Sequence, residues 1–127
     1  MNISVVIPTL DNPKDVSNVI ESLNIQLFLP SEIVIIDSSS NDEIERLIVD
    51  IHSRIPITYK RLGRAYAMDR FLLFINQFPV FRYFLSHLSK GRAFPYEATN
   101  HGALIAEHEW LALLDATTIP NKNWLQD

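Results

Sequence analysis

Trp110-Leu-Ala-Leu-Leu-Asp-Ala-Thr-Thr-Ile-Pro-Asn-Lys-Asn-Trp124 is the stretch from which the rest of the chain can be read. Leu111 to Leu114 is a short, wholly apolar run, the pattern of a strand covered on both faces at the centre of a parallel sheet. The run stops at Asp115, and Pro120 then turns the chain. A carboxylate at the carboxyl end of a buried parallel strand lies where open α/β sheets hold their ligands; it serves equally well as a turn cap. Asp115 alone does not choose between the two, so the other strand ends must.

Upstream of that strand, Ala98–Glu107 predicts a helix, with Gly102 either placed to allow close packing of helix on strand or merely tolerated within the helix. At the other end of the chain, Ile3–Ile7 is β-branched and apolar, and Pro8 closes it as a buried strand. Asn12 and Pro13 form an N-cap and first-turn pair, and Val16, Val19, Ile20 and Leu23 recur at helical spacing over Pro13–Leu23. Glu32–Ile36 is a second buried strand, and it too ends in an aspartate, Asp37. Ser40 with Glu43 reads as a capping box for a second helix striped by Ile44, Leu47, Ile48 and Ile51. Ile55–Tyr59 is a third strand. Strands and helices alternating across short links imply a parallel sheet joined by right-handed crossovers.

Residues 64–90 break this rhythm, and five of the seven phenylalanines fall between Phe71 and Phe84. Phe71, Phe74, Ile75 and Phe78 share one helical face, and Phe81, Phe84, Leu85 and Leu88 share another after Pro79. The spacing predicts two amphipathic helices bent at Pro79. Packing against the sheet is the first reading of their apolar faces. Peripheral membrane contact through 66–89 is the second, with Arg70, Arg82 and Lys90 as the positive charge. Gly63-Arg64-Ala65-Tyr66 is echoed by Gly91-Arg92-Ala93-Phe94, and the echo marks the segment as an insertion.

Composition bounds the function. The 127 residues suit one domain with a real core, and 47% apolar against 20% charged residues is an ordinary globular balance. A net charge of −4 leaves no broad basic surface for nucleic acid. The absence of cysteine excludes disulfides, thiolate metal sites and cysteine nucleophiles, and agrees with a reducing, cytoplasmic setting. The first residues read as a strand rather than a signal peptide, and no apolar run is long enough to span a bilayer.

Three strand ends now carry polar groups: Thr9 after Pro8, Asp37 with Ser38, and Asp115 with Thr117. In a parallel sheet these ends share one edge, so three separated loops converge on one crevice. The chain has only three glycines and neither a dinucleotide-binding nor a phosphate-loop glycine motif. A ligand in the crevice is therefore held by side chains, with or without a metal, rather than by a glycine-rich cradle.

Four motifs, in order, carry a family resemblance. Ser-Val-Val-Ile-Pro-Thr-Leu-Asp-Asn-Pro at 4–13 resembles the opening of family 2 glycosyltransferases of the GT-A fold, S-V-V-I-P-T-Y-N-R-P. Glu-Ile-Val-Ile-Ile-Asp-Ser-Ser-Ser-Asn-Asp-Glu at 32–43 is similar to their E-I-I-V-V-D-[DS]-G-S-T-D-E. Glu97–Gly102 resembles the A-R-N-x-G helix start, and Glu109–Pro120 with Trp124-Leu125 resembles G-E-[YW]-[IL]-A-F-L-D-x-D-x-x-P…W-L. The match covers the chain apart from 64–90. It implies an α/β, Rossmann-like GT-A fold, with a mostly parallel sheet and helices on both faces. It also implies a partial domain over 1–127, incomplete at the C-terminus and carrying the insertion.

The resemblance further implies a nucleotide-sugar donor and a glycan or lipid-linked acceptor, with transfer by inversion in cell-surface polysaccharide biosynthesis. Pro8, Thr9, Asp37, Ser38, Asn100 and Asp115 would contact the donor. A divalent ion, manganese or magnesium, would sit on Asp115 and Thr117 beside the diphosphate, neutralising charge that grows as the sugar–phosphate bond breaks. Three positions depart from the pattern. D-x-D becomes Asp115-Ala116-Thr117, Thr99 replaces the arginine of A-R-N, and Asp11 stands where asparagine is usual. Arg92 or Arg64 is the candidate replacement cation. The family's catalytic base lies beyond the D-x-D region, so none is assigned here, and His52, His87, His101 and His108 form no evident ligand set. The chain is then one part of a longer enzyme or a donor-binding half that no longer turns over. A non-catalytic binding or assembly module of the same fold is the alternative. A phosphoacceptor receiver domain is set aside, because Pro8-Thr9 stands where that class needs an acidic pair.

Overall fold

The computed structural model describes residues 1–62 and 95–126. Among these residues four strands form one sheet in the order β3-β2-β1-β4. They are β1 (Ile3–Thr9), β2 (Glu32–Asp37), β3 (Ile57–Arg61) and β4 (Trp110–Leu113). Every pairing is parallel, and β1 lies between β2 and β4, with Thr9 opposite Asp37 and Val6 opposite Leu113. The helices are α1 (Pro13–Asn24), α2 (Glu43–Asp50) and α3 (Pro95–Ile105).

Alternation along the two central strands explains how helices cover both faces. Val5, Ile7, Ile33 and Ile35 point to one side, where Val16, Val19, Ile20 and Leu23 of α1 and Ile44 of α2 bury against them. Val6, Val34 and Ile36 point to the other side and meet Ala98 of α3. The β1 and β2 side chains in both sets are wholly buried, which is why these strands read as continuous apolar runs. On the α3 side a Cβ built on Gly102 would stand 2.4 Å from Val6 Cγ1 and 3.1 Å from Ile36 Cγ1, so the helix backbone approaches the sheet as closely as a glycine allows.

The opposite end of the sheet is closed by a buried carboxylate that no motif announced. Glu32 Oε1 accepts from Ser4 Oγ at 2.7 Å and from the Glu107 amide at 3.1 Å, while Oε2 accepts from Thr58 Oγ1 at 3.1 Å. Three donors satisfy the charge and tie β1, β3 and the exit of α3 to β2.

Four local expectations are corrected. β4 is an edge strand among the described residues, not a central one, and Trp110, Leu111 and Leu113 are 58%, 42% and 58% exposed. β3 begins at Ile57, because Ile55 is spent in a turn where the Ser53 hydroxyl donates to the Ile55 carbonyl and accepts from its amide. No capping box forms at α2: Asp42 is the N-cap, and the Ser40 hydroxyl donates instead to Asp11 Oδ1. Asn12 precedes α1, but its side chain accepts from the Leu10 amide rather than from the helix. The predicted helical insertion at 64–90, its membrane-contact segment 66–89 and the flanking echo lie outside the described residues. No helix among the described residues is long and apolar enough to cross a membrane.

Candidate functional site

The carboxyl ends of β1, β2 and β4 do share one edge, and a cleft of about 290 Å³ opens there. Pro8, Thr9, Leu10 and Asn12 line it from the β1 side, Ser38 from β2, Ala98 from α3, and Asp115, Ala116 and Thr117 from the exit of β4. Loops more than a hundred residues apart in sequence thus meet because parallel strands all end in the same direction.

The turn after β4 is built by its own side chains. Asp115 Oδ1 accepts from the Thr117 amide at 2.8 Å and from Thr117 Oγ1 at 2.7 Å, and the Thr118 amide donates to the Asp115 carbonyl. Those two bonds from Thr117, backbone first, hold the Asp115 carboxyl below the usual carboxylate range. Its position is anchored further along, where Gln26 Nε2 donates to the Asn121 carbonyl, and Trp124 and Leu125 pack on the α1 face.

Asp37 is arranged differently. It is wholly buried beneath Thr9 and does not line the cleft. Oδ1 accepts from the Ser39 amide at 2.9 Å and from Thr9 Oγ1 at 3.5 Å, and Oδ2 accepts from Tyr59 Oη at 2.6 Å. The neighbouring Ser38 lines the cleft, and its buried hydroxyl has no hydrogen-bond partner among the described residues. A buried hydroxyl without a partner costs free energy unless something occupies the cleft to satisfy it.

Asp11 joins the two loops of this rim. Its backbone is left-handed, with φ of 50°, its amide donates to Ser39 Oγ at 2.8 Å, and its Oδ1 accepts from the Ser40 amide and hydroxyl. Aspartate and asparagine tolerate that conformation and alanine does not. Asp11→Asn should keep stability within about 0.5 kcal/mol, since its amide oxygen still accepts both bonds, whereas Asp11→Ala should lose about 1–3 kcal/mol. Urea unfolding measures both, and an alanine variant as stable as the parent would disprove the latch.

The sequence-selected residues therefore divide. Pro8, Thr9, Ser38, Asp115 and Thr117 come together in the cleft, and Asp37 lies directly behind Thr9. Asn100 is exposed on α3 and does not line the cleft, and Arg92 lies outside the described residues. Tyr59 and Arg61 were missed. The Arg61 guanidinium donates to the Ser39 and Asn41 carbonyls and thereby fixes the loop after β2. The signal for both was the register of β3 against β2, which a single sequence does not print.

The fit of a divalent ion follows from the donor set. Among the described residues no group of three or more His, Cys, Asp or Glu converges to cage a metal, and the described cleft lining holds no lysine or arginine. Asp115 Oδ1 is already taken by Thr117, which leaves Oδ2 to face a cation. Magnesium-type sites use one or two carboxylates and complete their shell with water and substrate phosphate. The lining thus fits an ion shared with a diphosphate, with Asp115 as its protein ligand, and does not supply a metal cage.

Comparison with known proteins gives the fold a context. The family model described as "Glycosyl transferase family 2" matches residues 4–72. Solved structures of S. aureus TarS share the fold. One of TarS 1-349 has a TM-score of 0.68 at 20% identity, and the complex with UDP-GlcNAc has 0.62 at 18%; each covers 99% of this chain. A further TarS structure with UDP has a TM-score of 0.64 at 18% identity. This chain spans only 29–30% of the length of those three. No curated protein matches it.

Proposed function

The chain belongs to glycosyl transferase family 2, and from that premise we propose that its cleft binds the nucleotide-diphosphate sugar of a glycosyltransferase. The observation that carries the reading is the meeting of Thr9, Ser38 and Asp115 around one cleft at the edge of a parallel sheet. Pro8, Thr9 and Ser38 would meet the nucleoside, backed by Asp37, and Asp115 would face the diphosphate. Two of the TarS structures hold UDP-GlcNAc and UDP, which makes uridine diphosphate sugars the first donors to test.

A diphosphate carries more negative charge than the described lining can balance. A divalent ion, manganese or magnesium, on Asp115 with Thr117 beside it would supply the Lewis acidity that favours departure of the nucleoside diphosphate. Arg92 is the other candidate cation. Asn100, outside the described cleft lining, would meet the donor only at its distal part. The acceptor is a glycan or lipid-linked sugar of cell-surface polysaccharide assembly, and transfer proceeds with inversion. On this reading the protein works in the cytoplasm, with 66–89 as its contact to the inner membrane face.

A second reading, a donor-binding or assembly module without turnover, is favoured by one observation. Thr117 satisfies Asp115 internally, where the family pattern would place a second carboxylate. Calorimetric titration with UDP and GDP sugars, with and without manganese, tests the proposal. Micromolar to millimolar binding of one donor that weakens at least about tenfold under chelation is expected. Silence with every donor would overturn it, and binding without any transfer by the whole protein would leave the module.

A further inference from the structure

We propose that Tyr59 is a positioning residue for nucleobase selection, holding one carboxylate oxygen of Asp37 so that only the other is offered, behind Thr9, to a ring N–H of the bound nucleotide. The proposal rests on the nucleotide-sugar reading above and deepens it.

Geometry makes the case. Tyr59 pairs with Ile35 across β2 and β3, so its side chain lies on the same sheet face as Asp37, two residues further along β2. From that diagonal position its phenol donates to Asp37 Oδ2 at 2.6 Å, a short charge-assisted bond. Burial, then the bond to Asp37 and the charge of Asp37, push the Tyr59 phenol far above its ordinary value, so it remains a donor throughout the useful pH range.

The other oxygen is held less completely. The Ser39 amide reaches Oδ1 at 2.9 Å, but Thr9 Oγ1 is 3.5 Å away, at the outer limit of a hydrogen bond. A carboxylate has about four lone-pair sites, and Thr9 occupies one of them poorly. Thr9 is also the residue of this set that lines the cleft. Asp37 is wholly buried and Thr9 only 4% exposed, so a ligand donor reaches Oδ1 by taking the place of the Thr9 hydroxyl, which turns away with its side chain. Uracil and guanine carry a ring N–H on the pairing edge, whereas cytosine presents a bare ring nitrogen there, which a carboxylate repels. Tyr59 itself lines no part of the cleft and acts only through Asp37.

The test titrates UDP and CDP into the parent chain and into Tyr59→Phe, with thermal unfolding of both. The parent should prefer UDP by about tenfold or more. The variant should lose about five- to tenfold in UDP affinity, keep its CDP affinity, and melt within a few degrees of the parent. An unchanged UDP-to-CDP ratio in the variant, or an equal loss for both nucleotides that tracks a lower melting point, would reduce Tyr59 to a brace and overturn the proposal. A parent that binds both nucleotides alike would overturn it too. A parent that binds neither would overturn the nucleotide-sugar reading itself. Fluorotyrosine-labelled parent protein gives a second readout that needs no variant: one resonance should move with UDP and none with CDP.

Discussion

Replacing Gly102 with valine should cost the protein about 3 kcal/mol or more of stability, and Gly102→Ala should cost about 1–2 kcal/mol. Helix propensity alone argues the other way, since alanine is favoured over glycine mid-helix by about 1 kcal/mol. Sterics decide it. The first added carbon would lie 2.4 Å from Val6 Cγ1, far inside contact distance, and Val6 and Ile36 are wholly buried. Relief requires α3 to lift from the sheet, and that breaks the cluster of Val6, Val34, Ile36, Leu62 and Ala98. Ala98 also lines the cleft, so the alanine variant should weaken donor binding as well as lower the melting point. Valine adds two more branches at the same contact and a loss of about 3 kcal/mol or more is expected. Thermal and urea unfolding measure both variants; an alanine variant at least as stable as the parent would show that α3 does not pack as described.

Gly102 was half legible in the sequence: a lone glycine within a helical pattern signals either a close approach or mere tolerance, and nothing local named Val6 of β1 and Ile36 of β2 as the residues it approaches. β1 and β2 were legible, since strands buried on both faces leave unbroken β-branched runs. Leu111–Leu114 shows the limit of the same signal. The run is wholly apolar, yet β4 lies at an edge with Leu111 and Leu113 exposed, because apolar composition records only what a side chain can tolerate. The capping box failed for a related reason. Ser40 has a nearer competitor in Asp11, brought beside it by the pairing of β1 with β2, and no local pattern encodes a contact across 29 residues. A separation of 22 residues hid the contact of Tyr59 with Asp37 in the same way. The convergence of Thr9, Ser38, Asp115 and Thr117 was readable because it follows from parallel topology alone, whereas the burial of Asp37 depends on how its neighbours fill the space above it.

Asp115→Asn should abolish metal-dependent donor binding, with an affinity loss of about a hundredfold or more, while leaving the fold intact. Asp115 is the carboxylate in the described lining of the cleft and lies at its exposed rim, so its removal changes the charge facing a diphosphate without disturbing the core. The amide oxygen introduced by that substitution would still accept from Thr117, which keeps the turn. Thr117→Val isolates the part played by the hydroxyl. Both Thr117 bonds lower the Asp115 pKa, and the variant retains the backbone bond but loses the hydroxyl. A lowered folded-state pKa gives a contribution to stability that is present above the ordinary value of 3.8 and is lost as pH falls through the folded value. For ligand binding the corresponding consequence is an acid limb that begins at higher pH in Thr117→Val than in the parent, with a modest loss at pH 7. Thr117→Asp should do the reverse for metal. It restores the family's second carboxylate, adds repulsion that only a cation relieves, and should tighten manganese dependence by about tenfold. Calorimetry at pH 7 with a UDP sugar and manganese reads all three variants, and a series from about pH 5 down to about pH 3 reads the acid limb of Thr117→Val. Undiminished binding by Asp115→Asn would remove Asp115 from the site. A Thr117→Asp variant indifferent to manganese would remove the ion from the site.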